Sequence, residues 1–161
     1  MSVPSVEAEA VTVSTVTRAH PQLAFEVFTE RMQQWWNPEH HVLRGQLASM
    51  NVEPYAGGRI WDESTEGEVC VWGRVLTWQP GEEFAFTWLI GPDWGPPGPD
   101  AQGSRVRVMF DAVDEGTRVT LVHDKLDVHG PGWDGLRAGV AGPGGWPSAL
   151  SLYAAAADAA D

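Results

Sequence analysis

The sequence predicts an α+β fold in which a seven-stranded antiparallel sheet is closed by a long C-terminal helix. Three observations carry this. Six stretches between residues 47 and 128 are rich in β-branched and aromatic residues and are separated by turn signals, which implies neighbouring antiparallel strands. Another strand-like stretch and a proline-led helical pattern precede them, and an alanine-rich helical pattern follows them. A sheet of this size must bury one face, so a terminal helix laid across its concave side is the economical arrangement.

The elements follow in order. The run VEAEAVTVSTVT, residues 6–17, is partly alternating and rich in β-branched residues, as a first strand should be. Pro21 opens a helical pattern with Leu23, Ala24, Val27 and Phe28 on one face, since proline is tolerated at a first helical position. The period runs on through Met32, Trp35 and Trp36, as two short helices or one, until Pro38 stops it. Strands are then expected at 47–53, 59–63, 68–78, 83–90, 105–113 and 117–128. Gly57-Gly58, Glu66-Gly67, Pro80-Gly81, the stretch 91–103 and Glu115-Gly116 separate them. In the last strand Val119, Leu121 and His123 share a face opposite Arg118, Thr120 and Asp124, so one side is inside and the other wet. The stretch 91–103 is a loop within the sheet, long enough to be a pocket rim. Residues 129–145 read as a loop or broken helix, with a weak helical turn around Trp133, Leu136, Arg137 and Val140. Pro147 opens the terminal helix, whose stripe is Trp146, Ala149, Leu150, Tyr153 and Ala157. No repeat or linker divides the chain, and residues 1–161 are expected to form one domain.

Composition bounds the function. A chain of 161 residues buries roughly 70% of its unfolded surface and needs no staples. Ten Lys and Arg stand against 22 Asp and Glu, a net charge of −12, which argues against binding nucleic acid or an anionic membrane surface. Cys70, the single cysteine, makes no internal disulfide and fits a reducing compartment. With no signal-like or membrane-spanning stretch, a cytoplasmic location is expected. The unusual count is nine tryptophans beside two tyrosines. They either fill a large core or line an apolar pocket.

Five motifs in register resemble a known family: PQLAFEVFTE with Trp35-Trp36, EPYAGGRIWDE, GRVLTWQPGEEFAFTW, GTRVTLVHDKL and GWPSALSLYAAA. The order of elements is similar to the helix-grip fold of the START-like, birch-allergen-like (SRPBCC) superfamily. The motifs resemble its branch of homologues of the ATPase activator of the ninety-kilodalton heat-shock chaperone. The resemblance implies a sheet gripping the C-terminal helix, with a cavity between them that in many members takes a hydrophobic small molecule. The superfamily includes lipid carriers, hormone receptors, polyketide cyclases and aromatases, and chaperone co-regulators, so it implies less about activity. The sequence departs from the pattern at GVAGPGG, residues 139–145, where a more helical lead-in to the last helix is common.

Trp36, Trp88 and Trp146 fall at predicted inward positions, where an indole buries a large area while its N–H fixes orientation. Trp72 and Trp78 share a strand face with Glu68 and Arg74 and are expected outside, and Trp94 lies on the long loop. The expected cavity lining is Phe28, Trp36, Phe86, Trp88, Val108, Phe110, Leu121, His123, Trp146, Leu150 and Tyr153. His123 is the sharpest single candidate: a hydrogen-bonded core or ligand-orienting group, or a general base working with Tyr153 or a water. No serine or cysteine motif completes a nucleophilic set around it, so no catalytic residue is assigned. Glu39, His40 and His41 are adjacent and do not converge on one ion, so neither a metal nor another cofactor is expected. Asp62, Glu63, Glu66 and Glu68 cluster at a hairpin and read as solvated charge. Gly57-Gly58 reads as a tight turn rather than a phosphate loop. The expected function is binding of a small, mostly hydrophobic molecule. The alternatives are a cyclase- or aromatase-like enzyme and a chaperone co-regulator acting through its acidic surface, with a homodimer as the alternative assembly.

Overall fold

A computed structural model describes residues 10–98 and 100–160. Within it seven strands form one antiparallel sheet: β1 (Val11–Thr17), β2 (Leu47–Val52), β3 (Arg59–Ser64), β4 (Val69–Gln79), β5 (Glu83–Trp88), β6 (Ser104–Val113) and β7 (Gly116–Asp124). Their spatial order is β1-β7-β6-β5-β4-β3-β2. After β1 the chain crosses to the far edge and returns strand by strand, so each turn signal in the sequence becomes a hairpin. Helices α1 (Pro21–Thr29), α2 (Trp133–Ala141) and α3 (Trp146–Ala159) complete the layer, with short 3-10 turns at Met32–Gln34 and Leu126–His129. The expected architecture is the one observed; residues 6–9 of the expected first strand lie outside the described residues.

Local chemistry sets the helix boundaries. His20 caps α1 by accepting the Leu23 N–H on Nδ1 at 3.3 Å, and Pro21 supplies the pre-set φ of a first turn. The face Ala24, Phe25, Val27 and Phe28 is buried against the sheet. In α3 the buried stripe is Trp146, Leu150, Tyr153 and Ala157. Two long-range ties place that helix. The Tyr153 hydroxyl donates to the Ala24 carbonyl at 2.8 Å, and Asp158 Oδ1 accepts from Thr17 Oγ1 and the Arg18 N–H at 2.7 and 2.8 Å.

Register decides what faces the helix. Phe84 sits opposite Val108, which sits opposite Leu121, and Phe86 opposite Val106, which sits opposite His123. All six are buried. The other face carries cross-strand ion pairs such as Arg105 with Asp124 at 2.6 Å and Arg107 with Glu83 at 3.2 Å. Much of the charge is therefore solvated, where a pair contributes at most about 1 kcal/mol.

Three departures from the expected elements have physical causes. Strand β7 stops at Asp124 because Lys125 takes a left-handed φ of 60° and turns the chain into the 3-10 segment. The glycine-rich stretch before α3 holds a nine-residue helix, α2, which buries Leu136 and Val140. The third is a correction: Trp72 and Trp78 face inward. Strand β4 carries two β-bulges, one where Ile60 and Trp61 pair with Gly73 and Val71, and one where Val75 and Thr77 pair with Phe86 and Ala85. Each extra residue shifts the alternation, so Arg74 points out while Trp72 and Val75 are buried. Trp78, half-buried, meets Phe25 edge-on at 5.1 Å and Phe84 at 5.7 Å.

Candidate functional site

One half of the space between sheet and helices is solid. Phe25, Phe28, Phe84, Phe110, Trp35 and Tyr153 meet one another at ring-centroid distances between 5.0 and 6.3 Å, the spacing of packed aromatic pairs. The other half, at the Trp88 end of β5 and the N-terminus of α3, is open. A cavity of about 340 Å³ lies there, within the range of small-molecule sites. Its walls come from the segment after α1 (Trp36, Asn37, His40, His41, Val42), the sheet (Asp62, Trp72, Trp88), Ile90 just past β5, Trp94 of the long loop, and the α2–α3 junction from Gly139 to Leu152.

Four of its tryptophans form a closed ring. Trp36 lies 5.7 Å from Trp72, Trp72 5.7 Å from Trp88, Trp88 5.6 Å from Trp146, and Trp146 6.0 Å from Trp36. At these distances the indoles touch, so they make a continuous aromatic wall rather than an open cage. Trp94, 46% exposed, stands at the mouth with a φ of 57°, uncommon for a bulky residue, and packs over Gly139 of α2.

The indole N–H groups separate the wall into satisfied and unsatisfied parts. Trp36 donates to the His40 carbonyl at 2.8 Å, closing the rim loop. Trp72 donates to Asp62 Oδ1 at 2.9 Å, and Trp146 donates to His123 Nδ1 at 3.0 Å. Trp88 Nε1 is buried and has no partner among the described residues. A buried donor left unmade costs about 1–3 kcal/mol.

Asp62 corrects the reading of its hairpin as solvated. On β3 the inward positions are Ile60, Asp62 and Ser64, and Asp62 is 3% exposed. Burial pushes its carboxyl up from 3.8 to about 6, against the opposing pull of the Trp72 N–H and the nearby His41. No Lys or Arg pairs with it among the described ion pairs. The alternation with Ile60 was present in the sequence, and the neighbouring Glu63, Glu66 and Glu68 masked it.

His123 is buried behind the wall rather than open to the cavity. Its Nδ1 accepts from Trp146, which places the ring proton on Nε2, 2.8 Å from Ser104 Oγ; Ser104 in turn lies 2.8 Å from His129 Nε2. Burial first, then the neighbouring His129, holds the His123 imidazole down to about 3, so it is neutral. Its local role is to orient Trp146. Of the expected lining, Trp36, Trp88 and Trp146 meet at the cavity. Phe28, Phe86, Val108, Phe110, Leu121, His123, Leu150 and Tyr153 pack into the interior beside it, because the large rings leave that half no room. The cavity adds Trp72 and Asp62, which sequence reasoning placed outside, and Trp94 from the long loop expected as a rim. His40 and His41 lie on its rim.

The family model described as activator of Hsp90 ATPase homolog 1-like protein matches residues 18–150. Among solved structures, an anthrahydroquino-γ-pyrone synthase, Txn09, solved as a complex, is 35% identical, with 94% of this chain and 99% of that chain covered and a TM-score of 0.64. Protein NE0264 from Nitrosomonas europaea is 17% identical over 92% of this chain and 94% of its own, with a TM-score of 0.65. Protein Ms6760 from Mycobacterium smegmatis is 19% identical over 98% and 95%, also at 0.65. At such identities these two speak for the fold alone. No curated protein matches the chain.

Proposed function

The chain belongs to the family of activator of Hsp90 ATPase homolog 1-like proteins, and we propose that it binds a small, planar, mostly apolar molecule in the cavity beside α3. The observation that carries this is the continuous indole wall, Trp36-Trp72-Trp88-Trp146, in a cavity of ligand size. Flat indole faces reward a flat ligand, since stacked and edge-on aromatic contacts add about 0.5–1.5 kcal/mol each beyond area burial. The cavity offers few polar groups, so orientation falls to Asp62, the Trp88 N–H and the rim histidines. A fluorescence titration of the tryptophans against fused-ring aromatics and fatty acids tests it. Saturable quenching by the flat compounds and none by fatty acids is expected; no saturable response to any flat compound refutes it.

A second reading is favoured by one observation, the 35% identity to a synthase over nearly the whole of both chains. In this reading the cavity performs chemistry on a fused-ring aromatic substrate. His123 does not touch that substrate, because it is 0% exposed and both ring nitrogens are occupied. The titratable side chains that line the cavity are Asp62, His40 and His41. Turnover of an anthrahydroquinone, followed by mass spectrometry, tests this reading, and a substrate recovered unchanged refutes it.

A further inference from the structure

Two polar groups of the cavity stand out because the protein leaves them underused. Asp62 has one carboxylate oxygen held by the Trp72 N–H at 2.9 Å and no cationic partner among the described ion pairs. Trp88, whose ring lies 5.7 Å from that of Trp72, has a buried N–H with no acceptor. An acceptor and a donor therefore sit one indole apart in the same aromatic wall. Buried polar groups normally have partners, so a pair of this kind is a candidate for recognition by a ligand.

We propose that Asp62 is the proton-accepting group of this cavity, that it acts on an acidic hydroxyl, phenolic or enolic, and that the same ligand carries a carbonyl oxygen received by the Trp88 N–H. The ligand class is a planar hydroxy-ketone, and the inference rests on the cavity binding flat molecules. The step balances without a co-reactant: the ligand O–H bond breaks, its electron pair stays on the ligand oxygen, and the proton passes to the free oxygen of Asp62. Trp72 holds the carboxyl in place, and burial removes the competing water.

The titratable surroundings suit this role. From the segment after α1 come His40 and His41, and His41 Nδ1 accepts the Leu43 N–H at 3.1 Å. Opposite Asp62 on β4 stands Cys70, whose thiol is pushed up to about 11 by burial and by Asp62 and Glu68, so it stays protonated at neutral pH. From α2, α3 and the turn between them the lining is Gly139, Val140, Gly144, Gly145, Trp146, Ser148, Ala149 and Leu152, with no charge among them. Asp62 is thus the carboxylate of the cavity, ionised across the upper half of the physiological range.

The experiment uses β-hydroxyanthraquinone and its methyl ether, titrated against the full chain by tryptophan quenching at about pH 5 and about pH 7. Ionisation of Asp62 over that interval should raise affinity for the hydroxy compound about tenfold and leave the ether unchanged. The visible band of the bound hydroxy compound should also move to the red, as it does when a phenol loses its proton. Asp62→Asn, which keeps an acceptor for Trp72, should abolish both effects. The two probes compared on the unmodified protein suffice even if the variant folds poorly. Equal, pH-independent binding of both compounds overturns the role of Asp62 and leaves the cavity a binding site. Binding of neither compound overturns the cavity reading, and the role of Asp62 with it.

Discussion

Replacing Asp62 by Asn should stabilise the protein at neutral pH, and the amount follows from where the carboxyl sits. Burial raises it from 3.8 to about 6 in the folded chain, while in the unfolded chain it titrates at its ordinary value. A group with a raised folded value contributes stability that is fully present below the unfolded value and is lost as pH rises through about 6. The full difference is about 3 kcal/mol, of which about 2 kcal/mol falls between pH 4.5 and 7.5. Asn has the same shape and still accepts from Trp72, but it does not titrate. Urea unfolding of both proteins, read by tryptophan fluorescence at those two pH values, isolates the term, because His123 and every other group titrates in both. Wild type minus variant stability should fall by about 2 kcal/mol from the lower to the higher pH. A difference that stays constant within about 0.5 kcal/mol would show that Asp62 titrates as in an open chain, and the argument from burial would fall.

Other outcomes follow from the same geometry. Trp88→Phe removes the unpartnered N–H and should change stability in the absence of ligand by less than about 1.5 kcal/mol, well under the usual cost of altering a buried tryptophan, while weakening binding of a carbonyl-bearing probe; thermal melts and a titration check both halves. Gly139→Ala would by helix propensity gain up to about 1 kcal/mol, but its Cβ would lie 2.7 Å from Trp94 Cζ2. Trp94 should swing off the mouth, seen as faster probe association in stopped flow; an unchanged rate removes Trp94 from gating. Tyr153→Phe should cost about 1 kcal/mol through the lost bond to the Ala24 carbonyl and leave probe affinity unchanged, since Tyr153 lies outside the cavity; a tenfold loss of affinity in titration would contradict that placement. His123 has a depressed folded value, so its contribution is present above 6.5 and is lost as pH falls toward about 3. His123→Gln should therefore flatten the acid limb of the unfolding curve, and an acid limb identical to wild type would show that His123 does not contribute to it.

The sequence alone was enough for the order of elements, because each signal for it is local. Pro21 and Pro147 mark helix starts, glycine-containing turns end strands, and alternation within β7 sorts Val119, Leu121 and His123 from Arg118 and Thr120. Five motifs in register likewise sufficed for the family, and three of the tryptophans for part of the cavity wall. What lay beyond reach depended on pairing between strands. Alternation counted along β4 places Trp72 beside Arg74, and only the bulge opposite Ile60 and Trp61 separates the two and brings Trp72 into the wall. Asp62 was legible as an alternate of Ile60, yet its raised carboxyl comes from burial beneath the elements that close over that end of the sheet, which outweighs the opposing pull of Trp72 and His41. The extent of the cavity was also a tertiary matter. Whether inward aromatics enclose a space or fill it is set by ring against ring, and here Phe28, Phe84, Phe110 and Tyr153 fill one half while the indoles border the other. A period along the chain says which way a side chain points; only packing in three dimensions says what it meets there.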